Sequence, residues 1–305
     1  MRRLRDTTLY DCLRGVLYGL SCLPPAFAYW WGARLGDLAY LLLAKRRRVA
    51  AENLALAFGE EKTSAERQAI VRAMFRNLGK HVVDFSRLRY VSPDTYSNIC
   101  TIEGLESARA LVERRRGLLV ISAHFGSWEL VPAVGACFEV PIWVIVRPLD
   151  QPVLDRLVEE YRLRSGYQII PRQQAMAQSL SVLRQGSVVG VLMDQNSLRR
   201  EGVAVEFFGI KTYTSKGPAL LALRAQCPVI GAFVVREAVG RHRLILTPEI
   251  PVRHTGNVQH DLEENTREFN RVLETYIRRY PDHWFWLHRR WKRRLPGSTP
   301  QSLSE

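Results

Sequence analysis

The chain has 305 residues, with 44 Lys+Arg against 30 Asp+Glu and a formal net charge of +14. Its composition, 47% hydrophobic and 24% charged, excludes a mainly disordered chain. The length is enough for a hydrophobic core that needs no covalent cross-links. Five widely spaced cysteines without a CxxC pair argue against a disulfide framework or a zinc ribbon, and they indicate a reducing compartment.

The basic residues are 38 Arg and only 6 Lys. A pI near 10 suits three kinds of partner, namely nucleic acid, an anionic membrane face or a phosphorylated substrate, and charge alone does not choose among them. The excess of Arg favours phosphate, because the planar guanidinium group binds phosphate oxygens bidentately.

The first 48 residues differ from the rest of the chain. Nineteen residues without a charge lie between Arg14 and Arg34, and a second apolar stretch ends at the basic cluster 45–48. A membrane-spanning helix needs about 20 apolar residues, and Pro24-Pro25 would break or kink a helix in the middle of the segment. Three consecutive aromatic residues suit a membrane interface. We therefore predict that residues 1–48 associate with a membrane, as a kinked span or as interfacial helices; a buried helical hairpin is the alternative.

Residues 49–294 show the pattern of an α/β domain. Thr63 and Glu66 have the spacing of an N-terminal capping box and predict the start of a helix. Beyond them, apolar runs typical of β-strands alternate with helical patterns. The runs are 118–122, 140–146, 167–170, 188–193, 229–235 and 244–246, and the helical patterns lie near 105–114, 127–137, 150–165, 173–184, 215–226 and 259–280. This alternation predicts a central, mostly parallel sheet covered by helices. The Pro-, Ser- and Gly-rich residues 295–305 predict a flexible tail.

The segment around His124 is the most informative for chemistry. A predicted strand ends at Ser122, so His124 falls in the loop at its carboxyl end, where open α/β sheets bind ligands. Glu129 would not share a helix face with His124, but the two can meet across a strand–turn–helix corner, with Gly126 allowing a sharp turn. A carboxylate on one imidazole nitrogen fixes the tautomer of a general base. A purely structural hydrogen bond is the alternative.

The sequence HFGSWE at 124–129 resembles the H-x4-D/E motif of the glycerolipid and lysophospholipid acyltransferase superfamily. The chain resembles one branch of it more closely, the bacterial lipid A biosynthesis acyltransferases, which are Kdo-dependent lauroyl and myristoyl transferases. Matching segments follow one another along nearly the whole chain: AENL at 51–54, VRP at 146–148, MDQ at 193–195, VEFFG at 205–209, Thr214, GPA at 217–219 and PDHWFWLHRRWK at 281–292. The resemblance implies a glycerolipid acyltransferase-like fold.

That resemblance also implies a reaction, the transfer of a fatty acyl group from a thioester to a hydroxyl of a lipid A precursor. His124 would take the proton of the acceptor hydroxyl and Glu129 would hold His124, with no acyl-enzyme. Cys137 lies inside the helical pattern that follows, so it is assigned to the core and not to a nucleophile. It further implies an acyl carrier protein as donor, no cofactor, and the cytoplasmic face of the bacterial inner membrane, with an anionic membrane lipid and a phosphorylated glycolipid acceptor as partners. Another glycolipid or phospholipid acceptor is the enzymatic alternative. A basic nucleic-acid-binding protein is a remote one, and we expect no nucleic acid partner.

Other residues are candidates for substrate binding. Arg147 and Asp194 fall at predicted carboxyl ends of strands, on the same rim as His124. Arg147 would contact a phosphate or an oxyanion, and Asp194 would orient Arg147 or the sugar. Gln195 is assigned to the same rim. Alternatively, Arg147 is a solvated loop residue and Asp194 caps a helix.

Aromatic residues are candidates for holding the acyl chain. Residues 205–218 are predicted to form a loop over the site, in which Phe207 and Phe208 would shape an acyl-chain slot. Core packing is the alternative for both. Thr214 and Ser215 precede a predicted helix and are expected to cap it.

Two basic blocks suit anionic partners. Arg289 and Arg290 belong to a cluster of Arg, Lys and Trp that would bind anionic headgroups or nucleic acid, or form a solvated face. Residues 114–116, three consecutive arginines, could meet the acidic surface of an acyl carrier protein or be solvated. We expect no metal site, because His283 and His288 have no Cys or carboxylate partners at ligand spacing. We expect no nucleotide cofactor, because there is no Walker A loop and no GxGxxG motif after a strand.

Overall fold

The computed structural model describes residues 2–138 and 140–295, so the predicted tail lies outside the described residues from residue 296 onward. The α-helices are α1 (Arg2–Cys22), α2 (Pro25–Leu42), α3 (Ala44–Phe58), α4 (Ser64–Arg87), α5 (Pro93–Ile99), α6 (Leu105–Glu113), α7 (Gly135–Phe138), α8 (Pro152–Arg164), α9 (Ala175–Arg184), α10 (Gly217–Ala225) and α11 (Val258–Arg279). The strands are β1 (Cys100–Glu103), β2 (Leu118–Ser122), β3 (Ile142–Val146), β4 (Gln168–Pro171), β5 (Val188–Leu192), β6 (Gly202–Phe207), β7 (Ile210–Ser215), β8 (Val229–Ala238) and β9 (Arg241–Leu246).

Seven strands form the central sheet in the order β1-β9-β8-β2-β5-β3-β4. Strands β8, β2, β5, β3 and β4 are parallel, β9 is antiparallel to β8, and β1 is parallel to β9. The predicted mostly parallel sheet covered by helices is therefore confirmed. Strand β2 explains why: Leu119 and Ile121 enter the core on one face of the sheet, whereas Leu118 and Val120 enter the core on the other. A strand buried on both faces is continuously apolar, as parallel strands between helix layers are.

Two predicted elements are wrong. Residues 205–218 are not a loop over the site, because most of them form an antiparallel hairpin, β6–β7, whose two-residue turn has positive φ at Phe208 and Gly209. The helix predicted over 127–137 is two 3-10 turns followed by the short α7. Pro132 begins the second turn, since it lacks the N–H that a continuous helix would need there. The capping box of Thr63 and Glu66 at the start of α4 is confirmed.

The N-terminal segment contains α1, α2 and the start of α3, and α1 and α2 are separated at Pro24, the break that the sequence predicts. Helix α2 packs closely on α4 through Gly32 and Gly36 of one helix and Gly79 of the other. A Cβ atom at Gly79 would lie 2.0 Å from the carbonyl oxygen of Gly32, so only glycine permits this approach. Residue 48 lies inside α3, which continues into the buried core.

One face of α2 is apolar and exposed. It carries Phe27, Trp30, Trp31, Leu35, Leu38, Leu41 and Leu42 at helical spacing. Tyr29, Gly32 and Gly36 on the opposite face are buried. Across residues 2–138 and 140–295, no helix combines the length and the apolar character required to cross a bilayer.

Candidate active site

His124 lies just beyond the carboxyl end of β2, in the loop 123–127, which we call the His124 loop. Its backbone turns sharply at Gly126, where φ is +56° and a Cβ atom would lie 1.8 Å from the carbonyl oxygen of Val234. The glycine is thus required both by the left-handed conformation and by the close approach of β8. The predicted position of His124 at a strand end is the one that the structure has.

The C-terminal segment pairs with the His124 loop like a short additional strand. The N–H of Phe285 donates to the carbonyl oxygen of His124 (3.0 Å), and the N–H of Gly126 donates to that of His283 (2.8 Å). Phe125 and Trp284 form the bridge between them. Two backbone hydrogen bonds therefore hold the loop on either side of Phe125, and the C-terminal segment forms part of the site.

Asp194 holds the His124 imidazole. Its Oδ1 lies 2.9 Å from Nδ1 of His124, and its Oδ2 accepts from the backbone N–H of His124 (3.2 Å) and from Nε1 of Trp284 (2.8 Å). An ionised carboxylate only accepts hydrogen bonds, so Nδ1 carries the proton and Nε2 keeps its lone pair. About a quarter of the His124 side chain is exposed, against 2% of Asp194. The arrangement is an oriented imidazole with a free, basic nitrogen.

The charges of the pair stabilise each other. Burial alone would raise the pKa of Asp194, but the charge and hydrogen bonds of His124, with the bond from Trp284, lower it. Burial alone would lower the pKa of His124, but Asp194 and, behind it, Glu129 raise it above the ordinary value. Asp194 is therefore ionised, and His124 gains a proton more readily than a solvated imidazole.

Glu129 is not the hydrogen-bond partner of His124, so the prediction that it holds the imidazole is corrected. Its buried carboxylate accepts from Nε (3.0 Å) and Nη2 (2.5 Å) of Arg162, and from Nε1 of Trp128 (3.2 Å). Burial would raise the pKa of Glu129, but the Arg162 guanidinium outweighs it and lowers that pKa. The 3-10 turn at Trp128–Leu130 directs this carboxylate towards α8. Arg162 was missed because nothing local in the sequence pairs it with a residue 33 positions earlier.

Aromatic rings line the imidazole. Trp128 packs edge-on against His124, with ring centroids 5.5 Å apart, and its indole stacks on His81 at 3.8 Å. Phe285 lies 6.1 Å from His124, centroid to centroid. Burial lowers the pKa of His81 to about 4, so His81 is a neutral packing partner. These rings restrict the imidazole and exclude water from part of its surface.

The other predicted rim residues do not join this pair. Arg147 follows β3 and is exposed, and its guanidinium forms an ion pair with Asp150 (3.3 Å). Arg147 thus has the exposed loop position that was its alternative. Asp194 orients His124 and does not contact Arg147, which was the first of its two expected roles. Gln195 is exposed beside Asp194 and makes no side-chain hydrogen bond to the described part of the chain.

Phe207 and Phe208 lie in the core, as the core-packing alternative expected, and Arg290 is buried with them, so none of the three is exposed for the predicted contact with substrate. Both Phe side chains are buried and pack on the buried Trp284, Trp286 and Trp291. Arg290 is fully buried, where Nη1 donates to the carbonyl oxygen of Tyr213 (3.0 Å) and Nη2 to the hydroxyl of Thr214 (2.5 Å). Thr214 is thus a strand residue and not a helix cap. Arg289 is exposed, as a substrate contact requires.

The arginines at 114–116 and His124 lie at opposite ends of strand β2. They precede the amino end of β2, whereas His124 follows its carboxyl end, and five strand residues span about 17 Å. Arg116 donates to the carbonyl oxygen of Gln226 (2.6 Å), which lies at the same, amino-terminal end of the strands. A partner bound at these arginines would be remote from the imidazole.

Within the described residues, no three His, Cys, Asp or Glu side chains come together as a metal site. The side chain of Cys137, assigned to the core from the sequence, lies outside what the structure describes.

Comparison with known proteins identifies the family. The family model described as bacterial lipid A biosynthesis acyltransferase matches residues 6–293. The chain belongs to this family. It is 29% identical over 287 residues to the lipid A biosynthesis lauroyltransferase of Escherichia coli strain K12, covering 93% of this chain and 91% of that protein. The palmitoleoyltransferase of the same strain is 27% identical over 288 residues, with the same shares covered, and the myristoyltransferase is 25% identical over 281 residues, covering 92% and 85%. The chain is therefore an O-acyltransferase.

Proposed function

We propose that the chain transfers a fatty acyl group from acyl carrier protein to a hydroxyl of a lipid A precursor, with His124 as general base. The observation that carries the proposal is the hydrogen bond from Nδ1 of His124 to Asp194, which leaves Nε2 as a base on a partly exposed imidazole. The relatives named above are lipid A acyltransferases, which supports the acceptor.

In the proposed reaction, Nε2 of His124 takes the proton of the acceptor hydroxyl as its oxygen attacks the thioester carbonyl. The tetrahedral intermediate collapses with cleavage of the carbon–sulfur bond, and the imidazolium returns the proton to the departing thiolate. A hydroxyl is a poor nucleophile at neutral pH, so a base within hydrogen-bond reach accelerates the attack. Asp194 stabilises the imidazolium while it exists.

Mass spectrometry of lipid A tests the proposal. We expect cells that lack this protein to accumulate lipid A with one acyl chain fewer, and expression of the wild-type chain to restore it. The mass difference identifies the acyl chain, and fragmentation identifies the acylated position. Unchanged lipid A together with a change in another lipid class would contradict the proposed acceptor and indicate another glycolipid or phospholipid.

Cationic side chains near His124 suit a phosphorylated acceptor. Burial lowers the pKa of His288; the positive charges of Arg290, His124 and Arg46 lower it further, while Asp194 raises it. Arg46 of α3 therefore acts electrostatically on the same imidazole, that of His288, as His124 does, and Arg289 is exposed next to His288 in sequence. We propose that Arg46 and Arg289 bind the acceptor phosphates, because exposed guanidinium groups bind phosphate bidentately.

We propose that the exposed face of α2 lies in the cytoplasmic surface of the inner membrane. Trp30 and Trp31 are 53% and 43% exposed, and the basic residues 45–48 follow the helix, which is the composition of an interfacial helix on anionic lipid. A lipid acceptor reaches the enzyme from such a surface.

The double variant Trp30→Ala/Trp31→Ala is expected to bind anionic vesicles about tenfold more weakly, a change of about 1.4 kcal/mol, because it removes apolar surface from the interface. Co-sedimentation measures it. Val258→Ala, at an exposed apolar residue on α11, is the control and should bind like the wild type. Equal binding of the Trp variant would contradict the proposed face.

An open cleft of about 640 Å³ suits the acidic carrier protein. Arg199, Arg200 and Lys216 line it together with the first turn of α11, and Glu263 is the acidic residue in its lining. Arg199 is five residues beyond Asp194, so their Cα atoms are at most about 18 Å apart. A carrier protein docked there would present its thioester, on a flexible arm, on the same side of the sheet as His124. The cleft thus replaces residues 114–116 as the proposed docking surface.

Charge reversal distinguishes the two surfaces. We expect Arg199→Glu/Arg200→Glu to raise the KM for acyl carrier protein about tenfold at low salt, because like charges oppose docking. The KM for acyl coenzyme A should stay unchanged if that donor is accepted. Arg114→Glu/Arg115→Glu carries the same charge change at the amino-terminal end of the strands. A larger increase in the KM for acyl carrier protein in this variant would overturn the assignment to the cleft.

A further inference from the structure

A buried charged cluster lies beneath the His124 loop, centred on Asp84 of α4. Asp84 and Arg236 have side chains only 3% and 5% exposed and form an ion pair. The hydroxyls of Tyr29 and Ser127 also donate to the Asp84 carboxylate. His242 brings Nε2 to 3.2 Å from Asp84 Oδ1. The cluster therefore joins α2, α4, the His124 loop, β8 and β9 at one carboxylate.

Ser127 is held from two sides. Its hydroxyl donates to Oδ2 of Asp84 and accepts from Nη2 of Arg236 at 2.9 Å, so both its donor and an acceptor position are used. Burial alone would raise the pKa of Asp84, but Arg236 and then His242 hold it well below its usual range. The centre of the cluster is thus a carboxylate anion that accepts hydrogen bonds from the hydroxyls of Tyr29 and Ser127 and is paired with the Arg236 guanidinium.

The cluster is connected to the His124 imidazole through neighbouring residues. Ser127 is the last residue of the His124 loop and is followed by Trp128, the indole of which packs edge-on against His124. On the other side, Tyr29 projects from the face of α2 opposite the exposed Trp30 and Trp31. A displacement of α2 or of Asp84 would therefore move Ser127, and with it the adjacent Trp128, whose indole restricts His124.

We infer that Asp84, Arg236 and Ser127 are positioning residues, which tie the His124 loop to the membrane-facing helix α2 through Tyr29. The inference rests on the proposed role of His124 as general base. None of these side chains contacts a reacting atom. They act by keeping the imidazole at its attack distance, to which rates are steeply sensitive.

Tyr29→Phe and Ser127→Ala test the inference, since each removes one hydroxyl and little volume. We expect each to lower kcat about tenfold with KM for both substrates unchanged, because substrate contacts are intact and only the base is displaced. Tyr10→Phe is the matched control: the hydroxyl of this buried tyrosine of α1 donates to the carboxylate of Glu160 on α8, and neither residue belongs to the cluster or to the His124 loop. Its variant should keep the wild-type kcat.

The double variant Tyr29→Phe/Ser127→Ala separates positioning from general destabilisation. If both residues act through Asp84, their effects on kcat are not additive, and the double variant resembles either single one. Asp84→Asn leaves Arg236 buried without a counterion and could fail to fold, so Asp84→Asn/Arg236→Gln, which removes both charges, is measured beside it. We expect the double variant Asp84→Asn/Arg236→Gln to fold and to show the same loss of kcat as Ser127→Ala.

Wild-type kcat in Tyr29→Phe and Ser127→Ala, with only a lower melting temperature, would overturn the inference and leave a structural cluster. Additive effects in the double variant would also overturn it. The proposed function fails separately, if His124→Ala retains activity. An inactive His124→Ala together with a fully active Tyr29→Phe would reject the positioning cluster alone.

Discussion

Replacing His124 by Ala is expected to reduce acyl transfer by a factor of about 10³ or more. The substitution removes the base that takes the hydroxyl proton, and general base catalysis contributes about 10²–10⁴-fold. The imidazole also supplies the proton to the leaving thiolate, so both halves of the proposed reaction lose their catalyst. The measurement is kcat of the purified variant with an acyl thioester and a lipid A precursor, read by mass spectrometry of the product.

Folding and membrane binding of His124→Ala should be those of the wild type. The ring is a quarter exposed and makes a single side-chain hydrogen bond, to Asp194, so its loss leaves the sheet and α2 intact. His254→Ala, at an exposed position in the loop before α11, is the matched control and should be fully active. Wild-type turnover in the His124→Ala variant would show that His124 is not the base.

The place of His124 was predictable because the information for it is local. An apolar run followed by a glycine-containing turn fixes a strand end, and the structure has β2 ending at Ser122 as expected. The partner of His124 was not predictable in the same way. Asp194 lies 70 residues further on, and it meets His124 because β5 pairs with β2, which depends on strand order. Glu129, near in sequence, is turned towards Arg162 by a 3-10 turn instead.

The C-terminal segment shows a second limit of sequence reasoning. Its composition of Arg, Lys and Trp is that of a surface for anionic headgroups, yet Trp284, Trp286 and Arg290 are at most 1% exposed. Burial of Arg290 is possible because Tyr213 and Thr214 on β7 accept its hydrogen bonds, and Phe207 lies under its guanidinium at 4.6 Å. No pattern within the segment indicates acceptors that a hairpin 77 residues away supplies.

The helix break at Pro24 was predictable from one residue type, since proline lacks an N–H. The face that α2 buries was not, because its buried side depends on Gly79 of another helix, which only the packed structure brings near. The consecutive aromatic residues of α2 indicated a membrane interface, but they did not show which face of the helix would be exposed to it.

Asp194→Asn is expected to lower kcat by a factor of about 10³–10⁴ through the tautomer of His124. An amide can donate its N–H to Nδ1, which moves the imidazole proton to Nε2 and removes the lone pair that takes the substrate proton. The neutral amide also no longer stabilises the imidazolium. The loss should therefore appear in kcat, whereas the KM for the acceptor changes little.

The pH profile gives an independent readout of the same substitution. The base must be neutral, so kcat/KM falls as the pH drops through the pKa of His124. In the wild type Asp194 raises that pKa, which moves the acidic limb to higher pH than for an unperturbed histidine. Loss of the carboxylate charge lowers the pKa, so the acidic limb of Asp194→Asn should move to lower pH while the plateau falls.

Glu129→Gln serves as the matched carboxylate control. The Glu129 charge raises the pKa of His124 less than the Asp194 charge does. The acidic limb of the Glu129→Gln profile should therefore move less than that of Asp194→Asn. Its main effect should be on stability, by about 3 kcal/mol, because Arg162 would lose its buried counterion. A larger shift of the limb in Glu129→Gln than in Asp194→Asn would mean that Glu129 holds the imidazole during catalysis. The two variants together therefore decide which carboxylate is the partner of the base.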